Sequence, residues 1–508
     1  MTETQAAQAL VESALVESDF RLTCDSGFGD GWNHYAHSLQ WFRGKLYVGT
    51  TRATLALLRI NEPPPDLKPW PIECPEDFND IDRRAEIWEL TPETGAWRLA
   101  FRAPWTTTKD GRRAPRYISY RGMATYQGKN DRAPCLYVAT WAPQVAGMPD
   151  LLRSQDGVNF EIVSSPPWDP SVRSFRSLQP FNGLLHTTPA AAARGVSKVG
   201  MMRTMDSIGG DPTIYATDDP SKDVWQRVNL PGFGNEDNLS IFEMEVFDGH
   251  LYAGTVNTHG FELWKTRGGK IPYEWKKVLS HGADRGTFNE VVISMCPFQG
   301  ALYVGSGILN GGFHRAMNVG PAAAELIRVR PDDSWDLVMG DSRDTPTGLR
   351  FPLSGYSPGF DNLFAGYVWR MCEHEGYLYL GNMTWANVIP YLPMHLWPED
   401  VVAMVQKWGE DNLVRRFGGF ELWRSADGLH WEPVTRSGFG NKYNWGVRNF
   451  GSTPFGLYVA SANPFGPRVA VRREGEWRYV ANPRGGCEVW LGSKAHRAPQ
   501  ATEGAPPA

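Results

Sequence analysis

Short apolar runs separated by turn-forming residues recur along the whole chain. The clearest is Leu-Tyr-Val-Gly-Thr at residues 46–50. Related runs stand at residues 136–140, 251–255, 302–306, 378–382 and 457–461, with a weaker copy at residues 185–189. Runs of this length that are rich in Val and Tyr and end at turn residues are typical of β strands. Their regular return predicts a repeat architecture built from strands.

A second apolar pair follows each of these runs and marks a further strand. These pairs are Ile87-Trp88, Leu151-Leu152, Ile214-Tyr215, Leu263-Trp264, Leu326-Ile327, Leu422-Trp423 and Val489-Trp490. After the first six pairs come a turn and an aromatic residue: Trp97, Phe160, Trp225, Trp275, Trp335 and Trp431. Residues 419–463 show the strand order of one whole period most clearly. The pattern therefore predicts seven units of four antiparallel strands, of which the last lacks its fourth strand.

The missing strand is predicted at the N-terminus. Residues 20–26 (FRLTCDS) precede Gly-Phe-Gly-Asp, just as residues 431–437 precede Gly-Phe-Gly-Asn. Pairing of the N-terminal strand with the strand near Val489 closes a ring and so removes exposed sheet edges. It also places Cys24 and Cys487 on neighbouring strands, where we expect two free thiols rather than the alternative disulfide.

These features resemble a seven-bladed β-propeller over residues 20–492. Residues 1–19 are then an N-terminal extension and residues 493–508 a disordered tail. The turns at residues 425–431 (SADGLHW) and 154–160 (SQDGVNF) are similar to the Asp-box turns of sialidase-like propellers, although they are one residue shorter. In that family the box lies on the outer side of a blade, so the resemblance implies architecture and no catalytic role.

The loops after the second strand of each unit differ greatly in length. In a propeller they lie on one face, around the axis. The long ones are residues 52–84, 190–212, 307–324, 384–418 and 464–486. Residues 399–416 within them predict a short helix. Because these loops are rich in Trp, Tyr, Leu and Pro, we expect a roof over an axial pocket for a small molecule. The alternative is that they only fill a wide channel.

Composition and charge restrict the partners and the location. The net charge of −5 gives no basic footprint, so nucleic acid is not an expected partner. The first twenty residues lack the pattern of an export signal, and the sequence has no apolar run long enough to span a membrane. The six cysteines show no Cys-x-x-Cys spacing. We expect a cytoplasmic protein, with a monomer favoured.

Charged residues interrupt the apolar pattern of the innermost strands. Aligned units place His37, Arg121, Arg176, Trp369 and Arg448 at one position. The next position holds Ser38, Ser177, Glu243, Ser294, Arg370 and Asn449. Alternation along a strand sends these two sets to opposite faces, and the sequence does not decide which set faces the axis. Buried ion pairs between blades, such as Arg370 with Glu243, are the alternative to a site.

The candidate site residues follow from this alignment. Predicted catalytic residues are His34 or His37 as general base, Glu243 or Glu290 as its acid–base partner, and Tyr120 and Tyr367 in second rank. An anion clamp is predicted from Arg52, Arg121, Arg176, Arg370 and Arg448, because guanidinium groups bind carboxylates and phosphates with paired hydrogen bonds. Further substrate-binding candidates are Trp141, Asn257, His259, Trp385, Trp445 and Asn463.

These residues predict a protein that binds, and chemically transforms, a small anionic or hydroxylated organic molecule in a lidded axial pocket. Hydrolase, lyase and alkylating activities stay open, since no nucleophile elbow, P-loop or dinucleotide fingerprint is present. A non-catalytic protein- or glycan-binding scaffold is the alternative. A metal-dependent lyase or oxygenase would use axial histidines, as some seven-bladed oxygenases do. The histidines here do not repeat from blade to blade, so no metal or other cofactor is expected.

Overall fold

The computed structural model describes residues 13–61, 69–164, 171–191, 212–309, 312 and 319–494. Antiparallel β strands account for most regular structure in these ranges, which confirms the predicted all-β class. One hydrogen-bonded network contains 28 strands, and three further strand pairs form separate hairpins. Most of the predicted N-terminal extension and C-terminal tail fall outside the described residues.

Consecutive strands pair into four-stranded antiparallel units. The first three are β2–β5 (Asn33–Phe42, Lys45–Arg52, Glu86–Thr91, Ala96–Arg102), β8–β11 (Ser119–Tyr126, Cys135–Trp141, Leu151–Ser154, Glu161–Ser164) and β12–β15 (Val172–Phe181, Leu184–Ala191, Tyr215–Thr217, Gln226–Arg227). Then come β16–β19 (Asn238–Phe247, His250–Asn257, Leu263–Thr266, Lys276–Leu279) and β20–β23 (Val291–Phe298, Ala301–Gly307, Leu326–Val329, Trp335–Met339). Next is β26–β29 (Ala365–His374, Tyr377–Thr384, Leu422–Ser425, Glu432–Thr435), and the last strands are β30 (Gly446–Thr453), β31 (Gly456–Ala462) and β34 (Val489–Gly492). The remaining hairpins are β6–β7 (Trp105–Thr107, Arg113–Pro115), β24–β25 (Arg343–Thr345, Gly348–Arg350) and β32–β33 (Arg468–Arg473, Glu476–Ala481).

The N-terminal strand β1 (Phe20–Leu22) supplies the fourth strand of the last unit. It pairs antiparallel with β34, with Phe20 opposite Gly492. The first and last units are also joined directly, because Tyr35 of β2 pairs with Ala462 of β31. All six cysteines are free thiols, as predicted for Cys24 and Cys487.

The helices are few and short. They are α1 (Thr54–Asn61), α2 (His281–Asp284), α3 (Pro358–Asp361), α4 (Glu399–Trp408) and α5 (Glu410–Phe417). The single helix predicted over residues 399–416 is wrong, because Gly409 adopts φ +80° and divides it into α4 and α5. Val405 and Leu413 are buried, whereas Trp408 at the end of α4 is 55% exposed.

The Asp-box-like turns close on themselves. Asp427 Oδ1 accepts the backbone N–H groups of Leu429 and His430, both at 2.8 Å, and Ser425 Oγ accepts the N–H of Gly428 at 2.8 Å. The copy at residues 154–159 makes the same bonds. Each side chain therefore accepts hydrogen bonds from backbone N–H groups of the turn that do not pair with a neighbouring strand.

A buried amide–carboxylate pair recurs at the start of several units. Asn444 donates to the carbonyl of Gly438 at 3.0 Å and to Glu488 Oε2 at 2.6 Å. The same pattern joins Asn33 with Glu86, Asn238 with Glu262 and Asn289 with Glu325. These contacts give the repeated asparagines a structural role at the start of the units.

None of the helices in the described ranges combines the length and the apolar character that crossing a lipid bilayer requires.

Candidate functional site

A β-bulge interrupts the first strand of every unit at the same position. The strand register shifts between Ala36 and Ser38, Tyr120 and Gly122, Phe175 and Leu178, Ile241 and Glu243, Val292 and Ser294, Val368 and Arg370, and Val447 and Asn449. A bulge sets two residues opposite one and breaks the alternation of side chains. Both positions aligned in the sequence can therefore face the same side of the sheet.

One cavity of about 230 Å³ collects these bulge residues. It is lined by His37, Ser38, Arg121, Arg176, Ser177, Phe242, Glu243, Glu245, Met295, Arg370, Arg448, Asn449 and their neighbours. Every first strand from β2 to β30 contributes to the lining. The site accordingly lies where the first strands converge.

The cavity begins at the bulges and continues along the strands toward the tight hairpin turns. Its deeper lining residues, such as Gln179, Glu245 and Met371, all follow the bulge in sequence. The first strands lead from the long loops to these hairpins. The cavity therefore lies around the middle of the first strands, between the long loops and the hairpins.

Four arginines dominate the lining of the cavity. Arg370 donates to Glu243 Oε2 at 2.8 Å, and Arg121 donates to Ser174 Oγ at 2.8 Å. Arg176 lies over the Phe242 ring at 3.3 Å from its centroid, and Arg448 lies over the Trp369 ring at 5.4 Å. Among the described residues, the Nε of Arg176 and one terminal nitrogen of Arg448 are buried without a hydrogen-bond partner.

This crowding disfavours the charged form of the arginines. Burial first, and then the like charge of Arg121, pulls the pKa of Arg176 well below its usual range. Burial and the charge of Arg370 do the same to the pKa of Arg448. A buried cation needs a counter-charge, and Glu243 bonds only one of the four. An anion placed in the cavity would relieve this repulsion.

His37 is held in the same cavity as a neutral base. Its Nδ1 lies 2.5 Å from Thr51 Oγ1, which in turn lies 2.5 Å from Ser119 Oγ. In the described structure its Nε2 is buried and has no hydrogen-bond partner. Burial, followed by the charges of Arg448 and Arg121, keeps the pKa of His37 well below 6.5. The ring is thus fixed at one nitrogen and available at the other.

Glu245 adds a carboxyl group whose charge changes near neutral pH. Burial raises its pKa to about 7, and the neighbouring Glu243 acts in the same direction, against the N–H of Val246 and the charge of Arg370. Below pH 7 the group is neutral, and above it a second carboxylate enters the cavity. The sequence alignment missed Glu245 because it lies two residues beyond the bulge. The only sign of Glu245 in the sequence is that a charged residue stands near the end of a strand that is otherwise apolar there.

Sulfate can serve as a test anion for this cavity. We expect the affinity of the cavity for sulfate to fall as pH rises through about 7. The ionised Glu245 repels the anion, which weakens binding roughly tenfold between pH 6 and pH 8. Isothermal titration calorimetry at constant ionic strength measures this change. Glu245→Gln is the control and should bind with nearly the same affinity at both pH values. An unchanged slope in Glu245→Gln would assign the titration to another group.

The other predicted site residues lie outside the lining of this cavity. Arg52 is buried and donates to Asn33 Oδ1 at 2.9 Å and to Asp30 Oδ2 at 2.6 Å. Asn257 donates to Asn238 Oδ1 at 2.9 Å, and Asn463 donates to the carbonyl of Arg484 at 2.7 Å. These contacts hold the starts of the units together.

The predicted catalytic residues away from the cavity are buried among their neighbours. His34 lies 3.2 Å from the carbonyl of Gly466, and burial lowers its pKa to about 3. Glu290 accepts the N–H of Leu309 at 2.8 Å, and burial raises its pKa to about 7. Tyr120 packs against Tyr117 at 6.1 Å, and Tyr367 is buried in an apolar cluster.

The remaining predicted binding residues belong to the region of the long loops. Trp445 packs against Tyr35 and Phe465, Trp385 against Phe364 and Trp397, and Trp141 under Arg121. His259 is exposed. His314 and Arg315, and most of the loop at residues 190–212, fall outside the described residues.

The described long loops form an apolar layer above the bulges. Trp70, Ile72, Tyr391, Trp445, Phe465 and Val469 are buried together there. A second cavity, of about 770 Å³, lies between α5 and the β32–β33 hairpin. Its lining includes Glu410, Asp411, Lys442 and Arg472, so charges of both signs face it. It contains none of the predicted site residues and does not select an anion by charge.

Within the described ranges, no group of three or more His, Cys, Asp and Glu side chains is placed to hold a metal ion.

Comparisons with known proteins assign no family. No family model matches the chain, and no curated protein matches it. Solved structures similar to it include a puromycin-hydrolysing peptidase of Mycobacterium tuberculosis, with 11% identity and a TM-score of 0.45 over 93% of this chain and 55% of that one. An acylaminoacyl peptidase of Pyrococcus horikoshii matches with 8% identity and a TM-score of 0.39 over 89% of this chain and 53% of that one. A GH43 β-1,3-galactosidase matches with 11% identity and a TM-score of 0.33 over 70% of this chain and 86% of that one.

The chain thus spans about half the length of these two peptidases. At such identities and TM-scores the likeness carries no argument about this protein's activity.

Proposed function

We propose that the four-stranded units are the blades of a seven-bladed β-propeller over residues 20–492, closed by β1. Two observations support closure: β1 pairs with β34, and β2 pairs with β31. A third is that first strands from every unit line one cavity. Convergence of all first strands on one space is what an axial channel requires.

The function that this cavity supports best is the binding of a small organic anion and proton transfer on it. The observation that carries the proposal is the excess of arginine over carboxylate in a buried space. Arg121, Arg176, Arg370 and Arg448 line the cavity together with two carboxyl groups, those of Glu243 and Glu245, and Glu243 forms an ion pair with Arg370. Guanidinium groups fixed in a cavity of low polarity bind carboxylate or oxyanion groups strongly.

His37 is the residue that we assign as general base. It lines the same cavity, its Nδ1 is anchored by Thr51, and its Nε2 is the free nitrogen. A proton taken from the bound anion would pass to Nε2, and the arginines would stabilise the negative charge left on the substrate. The low pKa of His37 suits this role, because an anion beside it would raise that pKa.

Sulfate binding tests the proposal. We expect sulfate at about 100 times its dissociation constant to raise the Tm of the protein by roughly 2 to 3 °C beyond its general salting effect. Arg448→Gln should show only the general effect, since it removes one buried positive charge from the cavity. Differential scanning fluorimetry measures both at constant ionic strength.

Two further variants make the sulfate experiment specific. Arg112→Gln removes an exposed arginine, 72% exposed and paired with Asp110, and should keep the full rise. His37→Asn should also keep it, because the base is distinct from the clamp. An equal rise in Arg448→Gln and wild type would contradict anion binding in this cavity.

A further inference from the structure

The second cavity, between α5 and the β32–β33 hairpin, has the size of a ligand site that the anion proposal does not use. Its volume of about 770 Å³ lies inside the range of small-molecule pockets, roughly 300 to 1,000 Å³. Among the described residues, its lining shares none with the lining of the arginine cavity. A ligand in this second cavity is therefore recognised by different side chains from those that meet the anion.

Aromatic rings from three separate segments line the second cavity. They are Tyr391, Tyr443 and Trp477. The hydroxyl of Tyr391 donates to the carbonyl of Ala470 at 2.8 Å, and its ring packs against Trp477 at 5.4 Å between centroids. Trp477 and Tyr443 are both partly exposed, so part of each ring stays accessible. Such rings offer an apolar surface to a flat, nonpolar face of a ligand.

Donors and acceptors of hydrogen bonds stand side by side next to these rings. Arg472 lies over the ring of Trp477 at 4.9 Å from its centroid and reaches Glu410 at 3.5 Å, so this ion pair joins the hairpin to α5. Asp411 adds a further acceptor to the lining, and Lys442 adds a further donor. A charged ligand would meet groups of its own sign here. A hydroxyl group, in contrast, both donates to the carboxylates and accepts from the cations.

A buried amide in the same lining has an acceptor without a partner. Asn387 is 4% exposed, and its Nδ2 donates to the carbonyl of Lys442 at 2.5 Å. Its Oδ1 is buried and accepts no hydrogen bond from any residue in the described ranges. An acceptor left unsatisfied in this way costs free energy. A hydroxyl donor bound beside Asn387 would offset that cost, whereas a carboxylate or sulfate has no proton to donate.

We propose that the second cavity binds a neutral carbohydrate, with a sugar ring against Trp477 and its hydroxyl groups bonded to Asn387 and Glu410. A sugar ring combines the features that this lining matches: a flat face of C–H groups, several hydroxyl groups and no net charge. The volume equals that of roughly 26 water molecules, which leaves room for a disaccharide. This site goes beyond the anion proposal and does not depend on it.

Disaccharide binding to the full chain tests this assignment by isothermal titration calorimetry at pH 7.5. Cellobiose, maltose and lactose are compared with sorbitol, which carries similar hydroxyl groups on an open chain without a ring. At least one disaccharide should bind with a dissociation constant of about 1 mM or below, and roughly tenfold or more tightly than sorbitol. Trp477→Ala and Asn387→Leu should each weaken this binding about tenfold or more. Trp408→Ala, which removes an exposed tryptophan outside the lining, should keep it.

Further variants make the result specific to this cavity. Arg448→Gln should keep full disaccharide binding, and Trp477→Ala should keep the full response to sulfate. Glu410→Ala, whose side chain is 32% exposed, replaces Trp477→Ala or Asn387→Leu if either does not fold, and should also weaken disaccharide binding.

Three results would overturn the assignment. The first is that none of the three disaccharides binds at about 10 mM. The second is loss of disaccharide binding in Arg448→Gln, which would place the sugar in the arginine cavity. The third is that the dipeptide glycylglycine binds and no disaccharide does, because that ligand carries charges of both signs and would use the mixed charges of the lining instead.

Discussion

Deletion of residues 1–27 is expected to give an insoluble protein. The deletion removes β1 and so leaves β34 with an unpaired edge. It also removes Leu15 and Phe20 from a buried cluster in which Phe20 packs against Phe439 at 5.0 Å. The loss of a whole strand together with core side chains should lower the free energy of unfolding by more than the few kcal/mol that a typical point substitution costs. The soluble fraction after expression and size-exclusion chromatography measure the result.

Moving the strand instead of losing it provides the control. Asp19 contacts Lys494 at 2.8 Å, so the segments that carry these two residues lie side by side. A permuted chain that begins at Phe28 and carries residues 13–27 after Lys494 through a short Gly-Ser linker should recover solubility. A stable, monomeric deletion protein with an unchanged Tm would show that β1 does not close the ring.

Substitution of Glu488 by alanine is expected to lower the free energy of unfolding by about 3 to 5 kcal/mol. The Glu488 side chain is fully buried and accepts hydrogen bonds from Asn444 at 2.6 Å, from Trp490 at 3.1 Å and from Arg484 at 2.9 Å. Alanine removes this acceptor from the buried amide of Asn444, and a buried donor costs more when unpaired than its bond contributes when made. Urea denaturation followed by tryptophan fluorescence measures the change in midpoint.

Glu476→Ala is the matched control for this experiment. Its side chain is 77% exposed and lies 3.8 Å from Arg478, so its removal should change stability by less than about 0.5 kcal/mol. Glu488→Gln, which keeps an acceptor of nearly the same shape, should fall between the two alanine variants. Equal midpoints for both alanine variants would mean that the buried amide–carboxylate pairs are not what joins the strands.

Much of the fold was predictable because strand repeats leave a strong local pattern. The Leu-Tyr-Val-Gly-Thr copies identify second strands, and the match between residues 20–26 and 431–437 identified β1 as the partner of β34. The break between α4 and α5 was not predictable with the same certainty. A glycine such as Gly409 is tolerated inside a helix, and only its φ of +80° shows that the chain turns there.

The candidate site was predictable in its residues but not in its geometry. His37, Arg121, Arg176, Glu243, Arg370 and Arg448 were all chosen from the aligned units, and all line the cavity. Strict alternation had set them on two faces. A bulge is defined by how many residues oppose one another across two strands, so one strand's sequence does not reveal it.

Some residues near the long loops were predicted to bind substrate because their side chains carry ligand-binding groups, but in the structure these groups contact other parts of the chain. Arg52, Asn257 and Asn463 carry groups that bind ligands as readily as they bind backbone. Their hydrogen bonds within the described chain go to neighbouring asparagines, carboxylates and carbonyls. Only the three-dimensional arrangement distinguishes a side chain that holds strands together from one that meets a ligand.

The repeated bulge allows the residues that line the cavity to differ while the pairing of the strands stays the same. At that point the ladder skips a residue, so its side chain contributes little to strand pairing, and Arg, His, Phe, Ile and Trp all occupy the position in this one chain. Exchanging them would alter the chemistry of the cavity while the strands around it keep their sequence. Such an arrangement is a natural starting point for engineering new binding specificity.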